Sequence, residues 1–146
     1  MFERLKALLP FSSSKEIAPE HAAPMAATML LLEVAWADHE ISDTELESTR
    51  AAIQDLFGLS PEQVQPLVEQ ARAEHEAAIS MYPFTRAVNE TLTSEEKRQL
   101  IVLLWRLAGV DSSVDVHEEH TIRRIADLLY VSHDDFIEAK HEARRS

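Results

Sequence analysis

The 146-residue chain contains no cysteine. That absence removes disulfides, thiolate metal sites and cysteine nucleophiles together, and it agrees with a reducing compartment. Glycine is nearly missing too: two residues leave little material for the tight turns of an antiparallel sheet. Positive charge is scarce, with 14 Lys and Arg against 26 Asp and Glu and a formal net charge of -12. Such a surface repels a phosphate backbone, and no stripe of Lys and Arg interleaved with aromatics offsets it, so nucleic acid does not fit as a partner. Basic protein surfaces and divalent cations do, because either relieves the self-repulsion of the carboxylates. No apolar run reaches the roughly 18 to 20 residues of a membrane span. Residues 1–10 are too short and interrupted for a secretory leader, and the expected location is cytoplasmic.

What is abundant is Ala, Leu, Glu and Arg, the residues of helices. The length suits one folded domain with its own core. Residues 1–17 read as an N-terminal amphipathic segment and a Ser-rich linker, and residues 18–146 as the folded domain. In the segment, Phe2, Leu5 and Leu9 share one face of two helical turns, with Arg4 and Lys6 elsewhere. Such a stretch docks on the body or frays, or else settles among lipid headgroups.

Beyond Pro19, residues 20–37 predict a long helix that is apolar nearly all round and therefore central. Ser42 and Glu45 make a capping box for the next, whose inward stripe is Leu46, Thr49, Ile53, Leu56 and Phe57. Gly58 closes it, and Ser60-Pro61-Glu62-Gln63 opens another that carries Val64, Leu67, Val68 and Ala71 inward. The pattern breaks over 80–83, and 84–91 predicts at most a short helix. Thr93 caps a second helix of apolar character, strongest over 100–108 and ended by Gly109. Asp115 with Glu118 caps the next, which turns Ile122, Ile125, Ala126 and Leu129 inward, and Ser132 caps the last.

The first acidic turn recurs. Asp38, Ile41 and Glu45 have the spacing of Asp111, Val114 and Glu118. After one dropped residue, Ile53 aligns with Ile125, Asp55 with Asp127 and Ser60 with Ser132. A repeat of about 72 residues is too long for a solenoid unit. The expected architecture is all-α: a single bundle of about seven or eight helices built from two pseudo-symmetric halves.

The turns also carry chemistry. Calcium takes about six to eight oxygens, several of them carboxylate, whereas magnesium keeps more of its water. Asp38, Glu40, Asp43 and Glu45 can supply that charge if the turn folds them inward. An EF-hand is excluded: its sixth and twelfth positions would be Asp43 and Thr49 in the first turn, Val116 and Ile122 in the second. A purely structural role competes, because Glu45 and Glu118 suit capping boxes and Asp38 and Asp111 can accept backbone N–H bonds. His117 and His120 stand one turn apart, a weaker arrangement for zinc without the H-E-x-x-H spacing. His39, His75, His133 and His141 carry no ligand pattern. Trp36 and Trp105, on the two central helices, are expected in the core. With no phosphate-binding loop and no nucleophile–base set by spacing, the expected protein is not an enzyme.

Ala37 and Asp38 closing an apolar helix, followed by Ile41-Ser42-x-x-Glu45, resemble the signature of the TerB-like domains. These are found in tellurite-resistance operons and in the N-terminal part of a membrane-anchored co-chaperone. The resemblance covers about residues 24–143, with both copies of the motif. It implies an all-helical domain that binds a divalent metal, through Asp38, Glu40 and Glu45 in the first motif and Asp111, Asp115 and Glu118 in the second. His39 stands where such domains often carry Gly, and Ser112-Ser113 replaces acidic residues beside Asp111. The function so implied is a non-enzymatic, calcium- or magnesium-binding module with a protein partner in a stress- or envelope-linked complex. The alternative is a metal-free adaptor that offers an acidic face to a basic partner, or reaches a membrane through residues 1–10.

Overall fold

A computed structural model describes residues 22–36, 41–109 and 116–145. Among the described residues the chain forms seven helices and no strand: α1 (Ala22–Ala35), α2 (Asp43–Phe57), α3 (Pro61–Ala77), α4 (Tyr82–Thr91), α5 (Ser94–Leu107), α6 (Val116–Leu128) and α7 (His133–Arg145). The all-α bundle expected from composition is what the chain adopts. The helix expected over 2–9 and the linker after it lie outside the described residues.

Local chemistry sets most of the boundaries. Ser42, Ser60 and Thr93 each accept a bond from the backbone N–H three residues on, and Glu45, Gln63 and Glu96 each reach back to the cap N–H. Each box satisfies two amide donors that a helix N-terminus would otherwise leave unpaired. Ser132 Oγ likewise accepts from the Asp135 N–H at 3.1 Å. Gly58 ends α2 at φ 66°, a left-handed conformation that costs glycine nothing. Tyr130 takes the same conformation after α6 at φ 60°. There Val131 N–H reaches the Ala126 carbonyl and Tyr130 N–H that of Asp127, closing a Schellman turn. Pro83 does not break the chain as the sequence pattern suggests. It occupies the first turn of α4, where a missing N–H costs little, so that helix begins at Tyr82.

Every residue of α1 except Ala23 and Glu33 is buried. The cause is its placement: α1 packs against α2, α3, α4, α5 and α6, while α7 lies chiefly on α5. Full burial of each Leu, Met or Val side chain is worth about 1.5–3 kcal/mol, which makes the least polar helix the natural centre. The inward stripes of α2, α3 and α6 meet the same core through Ile53, Val68, Ala71, Ile122 and Ile125. Trp105 is fully buried where α5 meets α7, its ring 5.3 Å from that of Phe136 and covered by the Lys140 ammonium at 5.0 Å. The same two helices are tied by Arg98, which bonds Glu142 at 2.9 Å and Glu95 on its own helix at 3.2 Å. The Arg98 hydrogen bonds hold both carboxyls below the usual carboxylate range.

α1 packs most closely on α4, then on α3 and α2, and α5 packs on α7 and then α6.

Candidate functional site

Asp43 and Glu45 stand in the first turn of α2 and Glu118 in the first turn of α6. Asp38, Glu40, Asp111 and Asp115 lie outside the described residues. Glu45 is half-buried, and its Oε1 accepts the Ser42 N–H at 2.9 Å, which commits that oxygen to the cap. Asp43 is exposed and Glu118 half-buried. Among the described residues, no three His, Asp or Glu side chains converge as a metal would require. His117 and His120 are both exposed.

A different feature stands beside the first turn. α1 ends at Ala35, and Trp36 follows at 40% exposure on the wall of a cleft of about 630 Å³. Trp36 is thus not the core residue that its place on an apolar helix predicts. The far side of the cleft comes from the end of α3 through Arg72, His75 and Glu76, from Ile79 in the α3–α4 connection, and from Arg124 of α6. Ile41, the first described residue after the turn, also lines it.

The floor is polar. His75 is buried and its Nε2 lies 2.9 Å from Glu33 Oε1, a bond between residues 42 apart that ties α3 to α1. Burial leaves the imidazole and carboxylate few other partners, so each satisfies the other. Trp36 meets the His75 ring edge-on, with centroids 6.3 Å apart. Arg72 and Arg124 make no ion pair among the described residues, although Arg50, Arg86 and Arg123 each have one and Arg98 has two. At the rim Ile79 is 98% exposed. A second hollow of about 460 Å³ lies between α2 and α3, with Arg72 and Glu76 shared between its lining and that of the cleft. Ser80 also lines the main cleft, but its hydroxyl accepts the Tyr82 N–H at 3.1 Å, and no hydrogen bond joins it to His75. The histidine beside it is thus not paired with a nucleophile.

Against this geometry the comparison with protein families is decisive: the model described as "Tellurite resistance protein TerB" matches residues 24–141, most of the chain. The chain belongs to the TerB family. No curated protein and no solved structure shows a significant match. Within this TerB-family chain, both acidic motifs fall inside the matched region, and so do all the cleft residues. None of the described helices is long and apolar enough to cross a membrane.

Sequence reasoning passed over Glu33, Arg72, His75, Ile79 and Arg124. A weak signal existed for two of them: Glu33 interrupts an otherwise apolar helix, and Ile79 sits outside any periodic stripe.

Proposed function

We propose that this TerB-family domain is a non-enzymatic module that holds a divalent cation, calcium or magnesium before zinc, at the acidic turn between α1 and α2. The ligands are Asp38, Glu40, Asp43 and Glu45, with Asp111, Asp115 and Glu118 as the corresponding set in the second turn. The module serves a stress- or envelope-linked complex of the tellurite-resistance kind, inside the cytoplasm, through a protein partner. The observation that carries the reading is the state of Glu45. Its capping bond fixes the carboxylate at the edge of the turn and takes one of its two oxygens, so a cap and a cation ligand are compatible in one side chain. Asp43 stands two residues before it in the same first turn, where the helix dipole favours negative charge and its crowding favours a counter-ion.

The test is a thermal melt in EDTA and then in excess calcium, magnesium and zinc. A cation at about a hundredfold its dissociation constant adds roughly 2.7 kcal/mol and raises the melting temperature. Superimposed curves in all four conditions refute the reading. A metal-free adaptor is then left, and the cleft favours it, since exposed Trp36 and Ile79 beside Arg72 and Arg124 are what a docking surface presents.

A further inference from the structure

Two arginines of the cleft depart from the habit of the others. Arg50, Arg86, Arg98 and Arg123 each take a carboxylate three or four residues away on their own helix. Arg72 has Glu69 and Glu76 at those spacings, and Arg124 has Asp127. Among the described residues neither arginine pairs with any of them, and both line the cleft. In a chain with 14 Lys and Arg against 26 Asp and Glu, a guanidinium that leaves its nearest carboxylates aside stands out.

The acids of the same lining are differently placed. Glu33 has its Oε1 on buried His75 at 2.9 Å, whereas Glu76 is exposed and makes no ion pair among the described residues. Two guanidinium groups thus line the cleft against one carboxylate of that kind. Much of the remaining lining is aromatic or aliphatic: Trp36 at 40% exposure and Ile79 at 98%, with Ile41, Ala78 and Met81. A volume of about 630 Å³ falls within the roughly 300–1,000 Å³ of small-molecule sites. Guanidinium forks bind a carboxylate through two parallel hydrogen bonds, and an indole with an aliphatic rim accepts a flat apolar body. The net charge of -12 repels an anion in proportion to the anion's own charge, which favours a ligand with a single negative group.

We infer that the cleft binds a small organic monoanion, a carboxylate carried on a flat aromatic ring. Arg72 and Arg124 take the carboxylate, and Trp36 and Ile79 cover the ring. Binding needs no cation at the acidic turn, and it is therefore measured in EDTA.

The probe is naphthoate, with neutral naphthamide and cationic naphthylmethylammonium as its charge controls. Each is titrated into the full chain by calorimetry and by proton–nitrogen correlation spectra. Trp36 and Trp105 are the two tryptophans, so the indole N–H region holds one signal from each, and Trp36→Phe assigns them. Naphthoate should bind saturably and move the Trp36 signal while that of fully buried Trp105 stays. Arg72→Gln and Arg124→Gln should each weaken binding by about tenfold or more, the loss of a charged hydrogen-bonded contact. Glu76→Gln should strengthen it by about two- to fivefold, because a like charge leaves the wall. All three side chains are exposed, so the melting transition in EDTA should not move, which separates lost binding from lost fold. Naphthamide or naphthylmethylammonium binding as tightly as naphthoate overturns the inference and leaves a plain apolar patch. So does an unmoved Trp36 signal, which places the ligand elsewhere. So does unchanged affinity in both arginine variants, which leaves their guanidinium groups to solvent or to other carboxylates of the chain.

Discussion

Glu45 carries two roles that ordinary mutagenesis would confound, and the protein supplies the means to separate them. Its carboxylate accepts the Ser42 N–H at 2.9 Å. The box at Ser60 does the same with Gln63, whose Oε1 accepts the Ser60 N–H at 2.9 Å. A glutamine at position 45 can therefore keep the cap while discarding the negative charge. Glu45→Ala removes the cap bond, about 1 kcal/mol, and the favourable dipole interaction, about 0.3–1 kcal/mol. For a domain of this size that lowers the melting temperature by about 3–6 °C. Glu45→Gln forfeits only the dipole part and should fall by about 1–2 °C in EDTA. With calcium at a hundredfold its dissociation constant, wild type gains roughly 2.7 kcal/mol, near 8 °C, and Glu45→Gln should lose most of that rise. Differential scanning calorimetry on the three proteins, with and without calcium, gives every number needed. If Glu45→Gln in EDTA falls as far as Glu45→Ala, the capping argument is wrong. If it keeps the whole calcium rise, the cation is not at Glu45.

Other positions test the fold. Trp105→Ala should cost about 3–5 kcal/mol in urea unfolding, whereas Trp105→Phe should cost under about 1.5 kcal/mol, because the indole Nε1 finds no acceptor in its buried site and its loss leaves nothing unpaired. Arg98→Met should flatten the acid limb of the stability curve. Glu95 and Glu142 have depressed carboxyl pKa values in the folded chain, so the unfolded chain binds more protons across that window. The stabilisation is thus present above the ordinary carboxylate range and lost as the pH falls through the folded values; denaturant melts between pH 6 and about pH 3 would show it. The left-handed turns predict opposite signs. Gly58→Ala should lose about 1 kcal/mol although a Cβ there meets nothing within 4 Å. Tyr130→Gly should gain up to about 1 kcal/mol, less the contact of its ring with Lys97, when both are compared by chemical denaturation.

The helices were legible where the signal is local. Ser42, Ser60, Thr93 and Ser132 announce their helices because a cap needs only residues three apart, and the structure places each as its spacing predicts. The centre was legible for the same reason in reverse: a helix with almost no polar face has no solvent side, so α1 had to be surrounded. Pro83 was misjudged because proline ends one helix and opens another with equal ease, and only the preceding Met81 carbonyl, which accepts from Phe84 and Thr85, decides between them.

The cleft was illegible for reasons the same physics supplies. Its floor pairs His75 with a glutamate 42 residues away, and neither has a local partner to betray it. Trp36 follows an apolar run with no face of its own, so periodicity cannot say which way its ring turns; it stands partly exposed on the cleft wall. Arg72 and Arg124 read as solvated charges on two unrelated helices, and only the packing of α3 and α6 about α1 brings them to one wall. The acidic turn, by contrast, was conspicuous in sequence because its carboxylates are neighbours in the chain. Local density of charge and spatial convergence of side chains are different quantities. A sequence displays the first directly, while the second depends on which helices touch. A functional assignment for this domain therefore has to be tested at both places, the turn that the sequence advertises and the cleft that only folding assembles.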